Sequence, residues 1–532
     1  MKHRFKRSFK MGVGKIGIGG LAAALFFGVA ASSASASAAV WSPEGRPLIQ
    51  TYDVAGTGEF DELDGAASAA QFRHPASVLV LGDGSVLVAD SGNHRIRLIR
   101  DETVSVYAGI PVSVLYDEAG LPAGTLVDGS ADESLFSNPT GLAADRYGNV
   151  YVADAANHAV RKISPAGDVT TLAGNGVLGY ADGTGSEASF HLPTDVAVDA
   201  EGNVYVADTL NHAIRKITPQ GAVTTLNALP ARIVQVSDDV FVPAGGFADG
   251  PLTQALFNEP SGLALDSQGN LYVSDTGNQR IRYINFAEGT VTTVAGGGDY
   301  AENALYVEGA YVDGPAAEAR FNSPKGIAAD QDGGVYIADS LNHSIRYLKD
   351  GRVTTIVGNA AGEYGSRNGI DEKALLDYPA DVALDPNGNL YIADVYNNKI
   401  RKAEFYALPD GWTADGTIRV LLNNRHIAFD QPPVIHSGRA MVPLRAFAEA
   451  VGYTAEVSGD KIVLSGGGGI LTLTVGEPEG SLLTDGQTAV TKFDVAPYIH
   501  EDAIYVPVRH LAELIGIDVD WHAETTTVIL RN

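Results

Sequence analysis

A mainly β fold, a six-bladed β-propeller followed by a small α+β domain, is what this sequence predicts, and three observations predict it. One motif recurs six times, strand-forming runs alternate with turn residues inside each copy, and from about residue 418 a different, duplicated pattern takes over. The third copy runs Phe190-His-Leu-Pro-Thr-Asp-Val-Ala-Val-Asp-Ala-Glu-Gly-Asn-Val-Tyr-Val-Ala-Asp208-Thr-Leu-Asn211-His212-Ala-Ile-Arg215-Lys-Ile217. Its Ala-Asp or Ser-Asp landmark returns at Asp90, Asp154, Asp275, Asp339 and Asp394, with successive gaps of 64, 54, 67, 64 and 55 residues. A repeat of this size cannot bury its apolar faces alone, so the copies must pack on one another.

Each copy reads as four antiparallel strands. In the third, residues 193–199, 204–207, 213–217 and 223–226 are rich in valine, isoleucine, threonine and tyrosine, and Gly, Asn and Asp mark the turns between them. Six such units make a six-bladed ring. The sixth copy lacks its Val-Thr-Thr strand, and the missing piece stands at the other end of the chain as Ile49-Gln-Thr-Tyr-Asp-Val-Ala-Gly56. Residues 49–56 are therefore expected to supply the outer strand of the last blade and remove an open seam.

The recurring Phe-x-x-Pro, Gly-Asn-(Val/Leu)-Tyr-(Val/Ile)-(Ala/Ser)-Asp and Asn-His-x-Ile-Arg residues resemble the NHL-repeat family over about residues 49–403. Leu376 replaces the phenylalanine once, Gln279 and Asn398 replace the histidine, and Gly334 replaces an asparagine. The resemblance implies the propeller. It fixes no activity, since the family's relatives span lyases, lactonase-like enzymes and binding platforms.

Six basic residues (Lys2, Arg4, Lys6, Arg7, Lys10, Lys15), an apolar stretch at 16–31 and two Ala-x-Ala sites predict a secretory signal peptide over residues 1–38, with an uncleaved anchor as the alternative. The expected division is then 39–408 for the propeller, 409–417 for a linker and 418–532 for the α+β domain. The chain has no cysteine, which excludes thiolate metal sites, a cysteine nucleophile and a lipid on an N-terminal cysteine. Its formal charge is −27, and removing the signal's six positive charges leaves −33. Such a surface repels phosphate chains, so nucleic acid is not an expected partner. A secreted or cell-surface monomer, off the membrane after signal cleavage, is expected to bind a cell-wall polymer, peptide or protein.

In the last region Val-Pro443-Leu-Arg445-Ala-Phe-Ala-Glu449 recurs as Val-Pro507-Val-Arg509-His-Leu-Ala-Glu513, each copy reading as strand, proline, short helix and glycine stop at Gly452 and Gly516. This pair resembles the copper amine oxidase N-terminal-like domain, a stalk-type module. The resemblance implies no oxidase activity, because copper and quinone belong to a separate catalytic domain and no Asn-Tyr-Asp or Asn-Tyr-Glu occurs here. His426, His436, His500, His510 and His522 show no tight metal-ligand spacing. Arg445 and Arg509 are expected to anchor the helix starts through hydrogen bonds.

Residues repeated six times serve what every blade needs, so Asp154, Asn157, Arg161 and their counterparts are expected to build turns rather than a site. Function should show where the copies differ. Two residues after the proline stand Ser77, Gly141, Asp195, Gly262, Gly326 and Asp381. On opposite blades, Asp195 and Asp381 could hold a channel cation such as Ca²⁺; the alternative is that each bonds local backbone amides. Enlarged loops at 110–127, 227–248, 297–312 and 359–367 are expected to crown one face, carrying Tyr116, Phe241, Tyr300, Tyr306, Tyr311 and Tyr364 for stacking on a ligand. No His-Glu-x-x-His, Gly-x-Ser-x-Gly or phosphate-binding loop occurs, and no enzymatic activity is expected. The competing reading is a metal-dependent hydrolase or lyase working in the channel.

Overall fold

Six five-stranded sheets arise from the six motifs. The computed structural model describes residues 40, 47–110, 124–237, 240–359, 361–409 and 411–531; the expected signal segment and Tyr116 lie outside the described residues. The third blade shows the order. Its innermost strand Pro193–Val198 is followed outward by Val204–Asp208, Ala213–Ile217 and Ala222–Thr225, and a two-residue strand, Gly183–Thr184, is added outermost. That fifth strand is the Asp-Gly segment ahead of each motif (Asn-Gly in the sixth), outside the four strands per copy that the sequence predicts.

The innermost strands contact their neighbours all the way round, with Pro379–Leu384 of the sixth blade against Pro75–Val80 of the first. Cores lie between blades. Tyr151, Ala153 and Val160 of the second pack on Val204, Val206 and Ile217 of the third. At the seam, Ala55, Ala393 and Ile400 pack on Phe72, Val78 and Val88.

The N-terminal strand closes the ring as its sequence predicts. Ile49–Ala55 pairs antiparallel with Lys399–Phe405, with Thr51 opposite Ala403, and takes Gly369–Ile370 on its other edge. Gly56 ends the strand at φ +105°, where a Cβ would come within 2.6 Å of the Asn398 carbonyl oxygen.

In the C-terminal domain two hairpins, Val434–His436 with Arg439–Pro443 and Tyr498–His500 with Ala503–Pro507, join through the pair Val442–Val506. Each runs into a seven-residue helix, α1 (Leu444–Ala450) and α2 (Val508–Leu514). A five-stranded meander spans Thr454–Ser458 to Gln487–Lys492, and the last strand Thr527–Arg531 lies parallel to Arg419–Leu422.

The domain packs directly on blade six. Tyr406 is buried with Val40, Leu48 and Ile529, Arg531 pairs with Asp371 at 2.5 Å, and Lys373 pairs with Asp518. Arg445 and Arg509 depart from expectation. Both are exposed and neither has a hydrogen bond or ion pair among the described residues. The strand-to-proline turn starts each helix without a side-chain cap, so neither guanidinium is needed there.

Candidate functional site

The landmark residues form one device built six times. In the fifth blade, Asp339 Oδ1 accepts from the Asn322 N–H (2.7 Å), and its Oδ2 accepts from Asn342 Nδ2 (2.7 Å) and Arg346 Nη1 (2.6 Å). Arg346 also meets Asp313 of the Asp-Gly segment and the Val312 carbonyl, and lies over the Phe321 ring at 5.3 Å. Its guanidinium is fully buried with every nitrogen engaged. Burial pushes the Asp339 carboxyl up to about 6, against the lowering effect of Arg346.

The repeated histidines clasp blade to blade. His94, His158, His212 and His343 sit in left-handed backbone, and their Nδ1 atoms accept from the N–H of Asn138, Leu192, Glu259 and Tyr378 in the next blade. Gln279 and Asn398 do the same with amide oxygens, toward Ser323 and His74. What the position requires is a side-chain acceptor, which explains both replacements. The donating residue always precedes the motif proline and always has positive φ, from 48° at His74 to 58° at Ser323.

Asp195 and Asp381 behave as a pair of braces. Asp195 accepts from Val196 N–H (2.8 Å) and from Leu263 N–H in the next blade (2.8 Å); Asp381 accepts from Val382 N–H (2.9 Å) and Val78 N–H (3.2 Å). A Cβ on Gly141 would come 2.4 Å from Asp195 Oδ1, and one on Gly326 would come 2.1 Å from Asp381 Oδ1. Each aspartate thus needs a glycine in the blade before it. Burial raises both carboxyls, and the Asp381 charge raises Asp195 further. These bonds match the amide-bonding alternative. Among the described residues no three His, Asp or Glu side chains gather as a metal site.

The enlarged loops 297–312 and 359–367 reach the landmark turns, while residues 111–123 of the first enlarged loop lie outside the described residues. Tyr306 donates to Glu259 Oε1 at 2.8 Å, the Val307 N–H donates to the Gly277 carbonyl, and Tyr364 (66% exposed) leans on His343 at 5.2 Å. Phe241, 61% exposed, sits on a projecting pair of strands, Arg232–Ser237 and Val240–Ala244. Tyr300 and Tyr311 turn inward: the first bonds Asn258 and Asn278 beneath Arg232, the second bonds Thr355 beneath Arg346.

Sequence reasoning missed a row of rings at the channel mouth. Phe60 (45% exposed) contacts His74 at 4.8 Å, His74 contacts Tyr396 (54% exposed) at 5.6 Å, and Tyr396 stacks on Tyr378 at 4.8 Å. Lys325 Nζ stands over Tyr378 at 5.9 Å, and its ammonium is held down by burial although Glu259 opposes this. The signal was the column before the proline (His74, Asn138, Leu192, Glu259, Ser323, Tyr378), which varies more than the column two residues after it.

The NHL repeat model matches residues 72–97, 136–163, 190–217, 257–282, 321–346 and 376–402, and the copper amine oxidase N-terminal domain model matches 421–530. Protein SUPPRESSOR OF QUENCHING 1, chloroplastic, of Arabidopsis thaliana is 32% identical over 283 residues, covering 52% of this chain and 26% of that protein. NHL repeat-containing protein 2 of Bos taurus is 30% identical over 336 residues, covering 59% and 44%. The chain thus spans less than half the length of these two relatives. An auxiliary nutrient binding protein from Bacteroides thetaiotaomicron superposes with a TM-score of 0.48 at 15% identity, over 69% of this chain and 82% of that one. No helix among the described residues is long and apolar enough to cross a membrane.

Proposed function

We propose that this chain, a propeller of six NHL repeats joined to a copper amine oxidase N-terminal domain, is an exported bacterial binding or scaffold protein. In this reading residues 1–38 are removed on export, 39–408 form the ring, and 409–417 lead to 418–532. The loop-bearing face holds a cell-wall glycan, a peptide or a protein partner. One observation carries it: the row Phe60–His74–Tyr396–Tyr378, exposed at its first three rings, breaks the sixfold pattern at the mouth, and no repeat-wide structural need accounts for it. Aromatic faces beside Lys325 and Glu259 suit stacking with flanking hydrogen bonds. The C-terminal domain, fixed to blade six by Arg531 and Tyr406, carries the ring as a rigid mount.

A glycan and peptide array on the mature protein tests this. Phe60→Ala and Tyr396→Ala should abolish the signal with little change in melting temperature, since both rings are half exposed. Signal retained in both variants would refute it. The second reading, a metal-dependent hydrolase or lyase, draws on the two buried carboxylates Asp195 and Asp381. It requires a Ca²⁺ or Zn²⁺ gain in melting temperature that Asp195→Asn loses, and array binding that disappears in chelator.

A further inference from the structure

The arginines of the duplicated Val-Pro-x-Arg motif have no part in starting their helices, and one of them stands at a cavity. Between the hairpin carrying Ile435 and Arg439, the start of α2 and the last two strands lies a cavity of about 320 Å³. Its walls are mostly apolar, with Ile435, Val508, Val519, Trp521 and Val528 among them. Trp521 is partly exposed, 38%, and so is available to a ligand.

Most of the charge around this cavity is already matched. Asp494 accepts from Arg439 Nε at 2.6 Å and lies 2.8 Å from His510 Nε2, while Asp520 pairs with Arg531 at 2.7 Å. Two polar groups at the start of α2 are unmatched among the described residues. The Arg509 guanidinium has no anion, and the buried Nδ1 of His510 has no hydrogen-bond partner. In a chain of formal charge −27, a guanidinium left without a carboxylate beside an apolar wall offers a place for an anion from outside.

We infer that this cavity binds a small carboxylate carried on an apolar group, as at the C-terminus of a peptide ending in an apolar residue. The volume is at the lower end for ligand sites and admits about one such residue. Trp521 and the aliphatic wall take the side chain, and Arg509 takes the carboxylate. Arg445, the motif counterpart, does not line the cavity and takes no part. The site is independent of the propeller face.

The test uses the full mature chain, with N-acetyl-L-phenylalanine and its amide as probes read by ligand-observed NMR. The acid should bind at least about tenfold more tightly than the amide. Arg509→Gln should erase that preference, Trp521→Ala should weaken both probes, and Arg445→Gln should change neither. Equal binding of acid and amide, a preference that survives Arg509→Gln, or no binding of either probe at millimolar concentration would overturn the inference.

Discussion

Five blades complete themselves and the sixth does not, and the difference lies in where one carboxylate comes from. In blades one to five the buried arginine of the third strand meets two aspartates, the landmark and the one in the Asp-Gly segment, as Arg161 meets Asp154 and Asp128. The residue opposite that arginine on the outer strand is a threonine in four of them, Thr171, Thr225, Thr293 and Thr355, and Val106 in the first. Blade six has Asn368 where the second aspartate would be, and Leu376 where the ring would lie. Its outer strand, arriving from the N-terminus, places Asp53 opposite Arg401, 2.7 Å from Nε, and also pairs Asp53 with Lys399. The carboxylate has moved from the local segment to the strand that must be recruited. Closure is keyed by charge as well as by shape.

The junctions between blades divide in the same way. Four clasps use a titratable imidazole, while the seam between blades six and one uses Asn398, which does not titrate. The closing contact is thereby indifferent to acid where most of the others are not.

Removing residues 47–57 should break the comparison most severely. It strips blade six of Ile49, Thr51 and Ala55, all buried, and leaves Arg401 one carboxylate short. A loss on the order of 5 kcal/mol or more is expected, seen as a fall of at least about 10 °C in the melting temperature. An unchanged melt would end the idea that this strand seals the ring.

Acid should separate the imidazole clasps from the seam. Burial, with His191 and Arg232 nearby, pushes His212 down to about 4. The unfolded chain takes up this proton near pH 6.5 and the folded chain resists it to about 4, so stability falls as pH drops through that window. His212→Gln, which copies Gln279, keeps the acceptor and should remove up to about 3 kcal/mol of that loss at pH 4. Denaturant melts at pH 7 and pH 4 measure it; identical pH dependence in the two proteins would contradict the assignment.

Arg531→Ala should have a smaller effect, about 2 kcal/mol, because it frees Asp371, which otherwise holds the Ile49 N–H at 2.9 Å. Faster amide hydrogen exchange in Ile49–Ala55 than in the outer strand of blade five is the expected signature. Equal exchange would mean the C-terminal domain does not brace the seam.

Much of this was legible. The closing strand was readable because Thr-Tyr-Asp-Val-Ala-Gly56 copies the Thr-Thr-Val-Ala-Gly296 ending of an internal blade. The fifth strands were not, since two residues such as Gly183–Thr184 carry no periodicity. Asp195 and Asp381 stood out in the right column, but their dependence on Gly141 and Gly326 is a contact between chain segments tens of residues apart. Tyr300 and Tyr311 looked like ligand contacts because an aromatic in a long loop does not reveal whether it faces water or a neighbouring arginine. Half of the aromatic row, His74 and Tyr378, was written in the column before each proline, which differs in all six copies; Phe60 and Tyr396 stand at positions that column does not mark.

A thermal melt of Asp53→Thr, alone and combined with Asn368→Asp, tests the keyed closure most directly. The single change leaves Arg401 short of a carboxylate and should cost about 1–3 kcal/mol. The pair gives blade six the Asp-and-Thr arrangement of blades two to five and should recover most of that loss, a coupling that a double-mutant cycle isolates. A harmless Asp53→Thr, or a double variant no more stable than the single, would contradict it.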